Sequence, residues 1–470
     1  MKLEQIYTGC IAHAAYYLES NGEAAIFDPL REVQPYIDRA NKDNAKIKYV
    51  FETHFHADFV SGHLDLAKKT GAEIVYGPTA KPGFDAVVAT DNQIFKVGDY
   101  QVKVLHTPGH TMESTCYLVI DEKGKEHGLI SGDTLFIGDV GRPDLAQHVI
   151  AELTSEKLAA HLYDSLRNKI MPLADDIIIY PNHGAGSACG KNMSKETTDT
   201  LGHQKQVNYA LRADMGKEEF MTELLEGLTT PPAYFPKNVL MNIRGYDSFD
   251  DIMERGMQAL NPDSFEAVAN ETEALILDTR EANDFAKGFI PNSINIGIDG
   301  NFAPWVGALL PDIKQEILIV ADKDREKEVI TRLARVGYDH PIAYLDGGFE
   351  AWKKEGKEID TVNRIAADAF EIKLLENPIV IDLRNTNEFN ADHVKDAINI
   401  PLEYINEHLA EFPKDKAFIM HCAGGYRSMI AASILKSRGW RNFVDVESGF
   451  SGITKTSVPV ISNACQKSKS

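Results

Sequence analysis

Short apolar runs interrupted by polar clusters dominate the first half of the chain. Residues 14–18, 24–27, 49–51, 102–105, 128–130 and 177–180 read as buried strands, and the second run ends at Asp28-Pro29. Helical spacing appears instead over 64–69 and around 150–166. Four of the strand ends are followed by clusters rich in His and Asp: Thr53-His54-Phe55-His56-Ala57-Asp58, Thr107-Pro108-Gly109-His110, Ser131-Gly132-Asp133-Thr134 and Pro181-Asn182-His183-Gly184. Strands of one sheet would deliver these side chains to one edge, which is the arrangement of a metal site. A single histidine on such a loop is as well explained as a satisfied polar residue; four clusters at four strand ends are not.

The second half has a different rhythm. Thr229-Thr230-Pro231-Pro232-Ala233-Tyr234-Phe235-Pro236 breaks regular structure, and beyond it short apolar strands alternate with helical stretches, predicting a parallel sheet wrapped by helices. The pattern occurs twice. Leu277-Asp278-Thr279-Arg280 returns as Ile381-Asp382-Leu383-Arg384, and Ser293-Ile294-Asn295-Ile296 as Ala397-Ile398-Asn399-Ile400, both offset by 104 positions. The expected domains are residues 1–245, 262–360 and 365–465.

Composition adds exclusions. The 470 residues, 43% hydrophobic and 25% charged, are those of an ordinary globular protein with material for several cores. A net charge of -21 speaks against nucleic acid or an anionic membrane as partner. The N-terminus lacks a basic region followed by an apolar core, and no apolar run approaches membrane-spanning length, so a soluble, cytoplasmic protein is expected. Five widely spaced cysteines (10, 116, 189, 422 and 465) form no disulfide framework, and a reducing compartment would leave them as thiols.

In the repeat's second copy, the apolar strand Phe418-Ile419-Met420 runs into His421-Cys422-Ala423-Gly424-Gly425-Tyr426-Arg427-Ser428 and then a helical stretch. A glycine-rich loop at a helix start makes a cradle of backbone N–H groups, which binds anions and activates thiols. This copy resembles the rhodanese sulfurtransferases, whose D-x-R and C-x4-R patterns are matched by Asp382, Arg384, Cys422 and Arg427. Cysteine phosphatases use the longer C-x5-R. The first copy places Asp322 where a linear alignment puts the nucleophile, so it is expected to be inactive and to serve as a scaffold.

The ordered set H-x-H-x-D, H, D, H resembles the metallo-β-lactamase superfamily. Hydrolases such as glyoxalase II carry H-x-H-x-D-H, with the last His on the second metal of a dinuclear zinc pair; here that position is Phe59. An apolar ring cannot ligate, so the resemblance narrows to the mononuclear persulfide dioxygenases. It implies one Fe(II) per chain held by His54, His110 and Asp133, the two-His, one-carboxylate set that suits oxygen chemistry. His and Asp also bind zinc, which leaves the metal open on residue chemistry alone. Gly141-Arg142-Pro143-Asp144 matches a further segment of that family. By the same resemblance His56, Asp58, Arg142, Asp144 and His183 orient the ligands or bind substrate. Cys189, in Gly186-Ser187-Ala188-Cys189-Gly190-Lys191, reads as a persulfide carrier or as a small buried filler. Cys10 and Cys116 are expected to pack in the core.

The whole order resembles the bacterial fused persulfide dioxygenase–sulfurtransferases: an αββα metallo-β-lactamase sandwich followed by two α/β rhodanese-like domains. That resemblance implies oxidation of a low-molecular-weight thiol persulfide by O2 to sulfite and thiol. Cys422 and Arg427 would be catalytic in transferring sulfane sulfur, with thiosulfate as the linked product. Self-association into a homo-oligomer is allowed for. Two other readings stand beside this one: a glyoxalase II-like dinuclear zinc thioester hydrolase, and a non-enzymatic sulfur relay with a vestigial metal domain.

Overall fold

The computed structural model describes residues 2–145, 153–228 and 230–462. The chain divides into two compact units, Met1–Asp251 with Leu333–Gly337, and Ile252–Arg332 with Tyr338–Ser470. Ile150, at the start of the second expected helical stretch, and Cys465 lie outside the described residues.

The first unit is built on two six-stranded sheets. One contains, in spatial order, β1 (Lys2–Thr8), β2 (His13–Ser20), β3 (Glu23–Phe27), β4 (Lys46–Phe51), β5 (Glu73–Tyr76) and β6 (Val87–Val88). The other runs from β7 (Ile94–Val97) through β8 (Tyr100–His106), β9 (Thr115–Ile120), β10 (Glu126–Gly132) and β11 (Ile178–Pro181) to β12 (Asp199–Thr200). Alternation along each strand sends successive side chains to opposite faces. In β2, Ala14, Tyr16 and Leu18 join Phe27, Phe51, Val102, Val104, Tyr117 and Ile130 in one core drawn from both sheets. Ala15 and Tyr17 instead join Val33, Tyr36, Ala40 and Leu66 of the covering helices. Leu118 and Leu129 of the second sheet face Ala159, Leu162, Phe220 and Leu224 in the same way. Each sheet is therefore buried on both faces, giving four layers, helix, sheet, sheet, helix. This is why the strands read as unbroken apolar runs rather than as alternating ones. The expected helix over 64–69 is His63–Thr70, and the described part of the other is Ser155–Ser165. Cys116 packs in the core, where burial pushes its thiol up to about 11, whereas Cys10 is only half-buried, contrary to the core position expected for it.

The second unit contains the two repeats as two parallel five-stranded sheets. The first has β13 (Ala259–Leu260), β14 (Leu275–Asp278), β15 (Ile294–Asn295), β16 (Ile317–Val320) and β17 (Pro341–Leu345), in the order β13-β17-β16-β14-β15. The second repeats this order with β18 (Arg364–Ile365), β19 (Ile379–Asp382), β21 (Ile398–Asn399), β22 (Phe418–His421) and β23 (Phe443–Val446), while β20 (Asp392–Val394) pairs with β24 (Val460–Ser462). Register corrects one expectation. Asp278 lies opposite Val320, and Asp382 opposite His421, so the residue equivalent to Cys422 is Ala321 and not Asp322. Backbone bonds agree: Thr279 N–H donates to the Val320 carbonyl as Leu383 N–H does to that of His421. A methyl group stands where the thiol would be. Among the described residues no helix is long and apolar enough to cross a membrane.

Candidate metal centre and sulfur-transfer loop

The loops after β4, β8, β10 and β11 meet at one edge of the sandwich, and close backbone approach brings them there. A Cβ on Gly132, whose φ is +54°, would lie 2.7 Å from the Cβ of Thr53, and one on Gly141 would lie 2.0 Å from the Asp133 carbonyl oxygen. Glycine at these positions lets the Ser131-Gly132-Asp133 turn touch the first histidine loop and lets the Gly141-Arg142 segment close over it.

His54, His110 and Asp133 come together, one ligand atom from each lying within 4.8 Å of the others, and all three are buried. His110 Nε2 is 3.5 Å and His54 Nε2 4.0 Å from Asp133 Oδ2. His110 donates its Nδ1–H to the Arg142 carbonyl at 2.8 Å, which leaves the Nε2 lone pair facing Asp133. His54 Nδ1 is engaged by Thr53 Oγ1 at 3.0 Å. Among the described residues, His54 Nε2 and both Asp133 oxygens have no hydrogen-bond partner although fully buried. Three such atoms converging on one point would each carry a desolvation cost of about 1–3 kcal/mol if nothing charged sat between them. Burial, and then the neighbouring His56 and His110, hold the pKa of His54 well below its usual value, so its ring is the neutral, ligating form. The donor set therefore fits a divalent metal ion.

A second cluster adjoins the first. Asp58, His183 and Cys189 also place ligand atoms within 4.8 Å of one another. His183 Nε2 lies 3.5 Å from Asp58 Oδ2 and 3.5 Å from Asp133 Oδ1, and its Nδ1–H is spent on the Ala12 carbonyl at 3.1 Å. Burial disfavours charging His183, but Asp133, Asp58, the Ala12 carbonyl bond and Asp28 act the other way and its pKa is raised. Burial, then the Asp58 and Asp133 carboxylates, push the Cys189 thiol well up. Phe59 fills the space beside His13 and His56, ring centroids 4.2 and 4.3 Å away, and is fully buried.

His56 is tied elsewhere. Its Nε2–H donates to Asp28 Oδ1 at 2.9 Å, with Glu52 Oε2 at 3.5 Å. Asp28 also accepts the Thr53 N–H at 2.7 Å and the Asn182 amide at 2.9 Å, binding the first histidine loop to the last. Asp28 and Glu52, whose carboxylates hold His56 beside the candidate site, are residues that sequence reasoning missed; the only trace was the strand ending at Asp28-Pro29. Arg142 and Asp144 form a buried pair with two 2.6 Å bonds, so the arginine's charge is satisfied within its own segment, and the Arg142 N–H donates to the Cys189 carbonyl at 3.0 Å.

In the second unit, Cys422 is buried at the end of β22, and Gly425, with φ of +96°, donates its N–H to Sγ at 3.1 Å. The helix Tyr426–Ser437 starts immediately after. Arg427 reaches the loop mouth and binds the Glu388 carboxylate through both terminal nitrogens. The D-x-R pairs do not touch the sulfur: Arg384 bonds to Asp382 and stacks on Phe450, as Arg280 does on Asp278 and Phe349 in the first copy.

Comparison with known proteins agrees with this geometry. The model of the metallo-beta-lactamase superfamily matches residues 8–179, and that of the rhodanese-like domain matches residues 261–355 and 367–456. A metallo-beta-lactamase structure from Staphylococcus aureus is 32% identical with a TM-score of 0.62, covering 73% of this chain and 98% of its own. A hydroxyacylglutathione hydrolase of Rhizobium etli is 36% identical over 169 residues, which are 35% of this chain and 58% of that protein's length. A probable hydroxyacylglutathione hydrolase of Schizosaccharomyces pombe is 29% identical over 204 residues, 42% of this chain and 74% of its own.

Proposed function

The chain belongs to the metallo-β-lactamase superfamily and carries two rhodanese-like domains behind its metal-binding domain; from this premise we propose that it oxidises a low-molecular-weight thiol persulfide and passes sulfane sulfur through Cys422. The domains we assign are residues 1–245, 262–360 and 365–465. The observation that carries the reading is the buried His54, His110 and Asp133 set with unpaired ligand atoms, beside Phe59 where dinuclear hydrolases have a further ligand. One Fe(II) held there would supply the redox chemistry with O2. The chain's residues do the rest. The Arg142 carbonyl fixes the tautomer of His110, and Thr53 orients His54. Phe59, packed on His13 and His56, keeps water from that side of the site. Persulfide, O2 and water give thiol, sulfite and two protons. Cys422, as thiolate, takes the outer sulfur of a second persulfide and releases its thiol. Attack by sulfite on that sulfur forms thiosulfate and returns the thiolate.

A second reading is favoured by the 36% identity to a hydroxyacylglutathione hydrolase: a thioester hydrolase with two metals, the second at Asp58 and His183. Product analysis separates the two. With persulfide and O2, Cys422→Ser should consume oxygen yet release sulfite in place of thiosulfate. Asp133→Ala should stop oxygen uptake but keep sulfur transfer to added sulfite. If Cys422→Ser makes as much thiosulfate as the parent, the C-terminal domain is not the sulfurtransferase.

A further inference from the structure

The first rhodanese-like copy has Ala321 in place of the thiol, yet it touches the Cys422 loop of the second where that loop becomes helix. Tyr426 follows Gly425, whose N–H reaches the sulfur, and opens the helix Tyr426–Ser437. Its hydroxyl donates to the Gly297 carbonyl of the first copy at 2.8 Å. The ring lies against two glycines of the first copy: a Cβ on Gly300 would stand 2.3 Å from the Tyr426 Cζ, too close to be accommodated in place, and one on Gly297 would make a tight 3.2 Å contact with its Cε2. Seven residues on, along the same helix face, Ser433 Oγ accepts the Asn295 N–H of the first copy at 2.9 Å. Lys436 adds an ion pair with Asp360 at 2.9 Å. The helix is thus gripped along one side by the other copy, while Gly425 is held on the opposite flank by the Glu447 carbonyl, 2.2 Å from where its Cβ would be.

We infer that Tyr426 is a positioning residue, and that the thiol-free copy is a template whose Gly297 and Gly300 slot fixes the first helical turn and so the N–H cradle around Cys422. Freedom in that turn would move the Gly425 N–H off the sulfur, and displacements on the order of 1 Å cost large factors in rate. The inference rests on Cys422 being the sulfur carrier. Its test uses the full-length protein, thiosulfate as donor and cyanide as acceptor. Gly300→Ala, which pushes a methyl group into the ring from the other copy, and Tyr426→Ala should each lower kcat by about tenfold or more, with KM for thiosulfate within about twofold. Tyr426→Phe keeps the ring in its slot and should stay within about threefold of the parent. Alkylation of Cys422 by iodoacetamide, which needs no turnover, should slow in Gly300→Ala and recover in Tyr426→Phe. Parental kcat and alkylation rate in Gly300→Ala would overturn the inference, and so would Tyr426→Phe falling as far as Tyr426→Ala. Cys422→Ser separates the two claims: continued sulfur transfer sinks the carrier assignment, whereas a dead Cys422→Ser beside a fully active Gly300→Ala sinks only the template.

Discussion

Arg427 meets Glu388 in a two-pronged pair, Nη1 to Oε2 at 2.6 Å and Nη2 to Oε1 at 2.8 Å. The cation at the mouth of the Cys422 loop is therefore largely compensated before any anion arrives. Glu388→Gln should release it and lower KM for thiosulfate by about fivefold, the equivalent of about 1 kcal/mol of recovered attraction. Arg427→Ala should raise that KM in both backgrounds. The Arg427 bond holds the Glu388 pKa below its usual value. The pair therefore acts fully above about pH 4.3 and is lost as pH falls through the lowered folded value, where parent and Glu388→Gln should converge. Steady-state kinetics at neutral and acidic pH check both statements; an unchanged KM contradicts them.

His63 predicts a pH dependence of stability. It is fully buried among Tyr76, Phe84 and Tyr246, neither ring nitrogen has a hydrogen-bond partner among the described residues, and burial first, then His56 and Arg31, lower its pKa to about 3. A histidine with a lowered folded pKa contributes fully above its unfolded value of about 6.5. Below that the unfolded chain takes up a proton the folded one refuses, costing about 1.4 kcal/mol per pH unit down to the folded value. His63→Phe fits the aromatic nest and should flatten this slope between about pH 6 and 4. Denaturant unfolding of the metal-free protein at several pH values measures it, and parallel slopes for parent and variant would contradict the assignment.

Phe59→His restores the ligand type of dinuclear hydrolases next to Asp58 and His183. Metal analysis of the variant should rise from one ion toward two per chain, with oxygen consumption reduced. An unchanged metal content would mean that residue 59 does not occupy the position of the second-metal ligand.

What could be read from the sequence was what is local. His54, His110, Asp133 and His183 each follow a strand by a few residues, and strand ends of one sheet have to share an edge. The C-x4-R spacing is likewise local. Partners far apart in the chain left little trace: Asp28 reaches His56 across 28 positions and Asn182 across 154, and Glu388 reaches Arg427 across 39. The place of Ala321 is hidden in the sequence because the offset between the copies is 104 at Asp278 and Asp382 and still 104 at Ile294 and Ile398, but 101 at Val320 and His421, and only hydrogen-bond register reveals the slip. The slot for Tyr426 was illegible for the same reason, since nothing near Gly300 announces a ring from another domain.

Oxygen uptake by the iron-loaded protein, given a low-molecular-weight thiol persulfide, tests the central claim most directly. The expected result is consumption of one O2 per sulfite equivalent formed, with one iron per chain, and loss of both iron and uptake in His110→Ala and Asp133→Ala. An absence of oxygen uptake, with two zinc ions bound and rapid hydrolysis of a glutathione thioester, would contradict it.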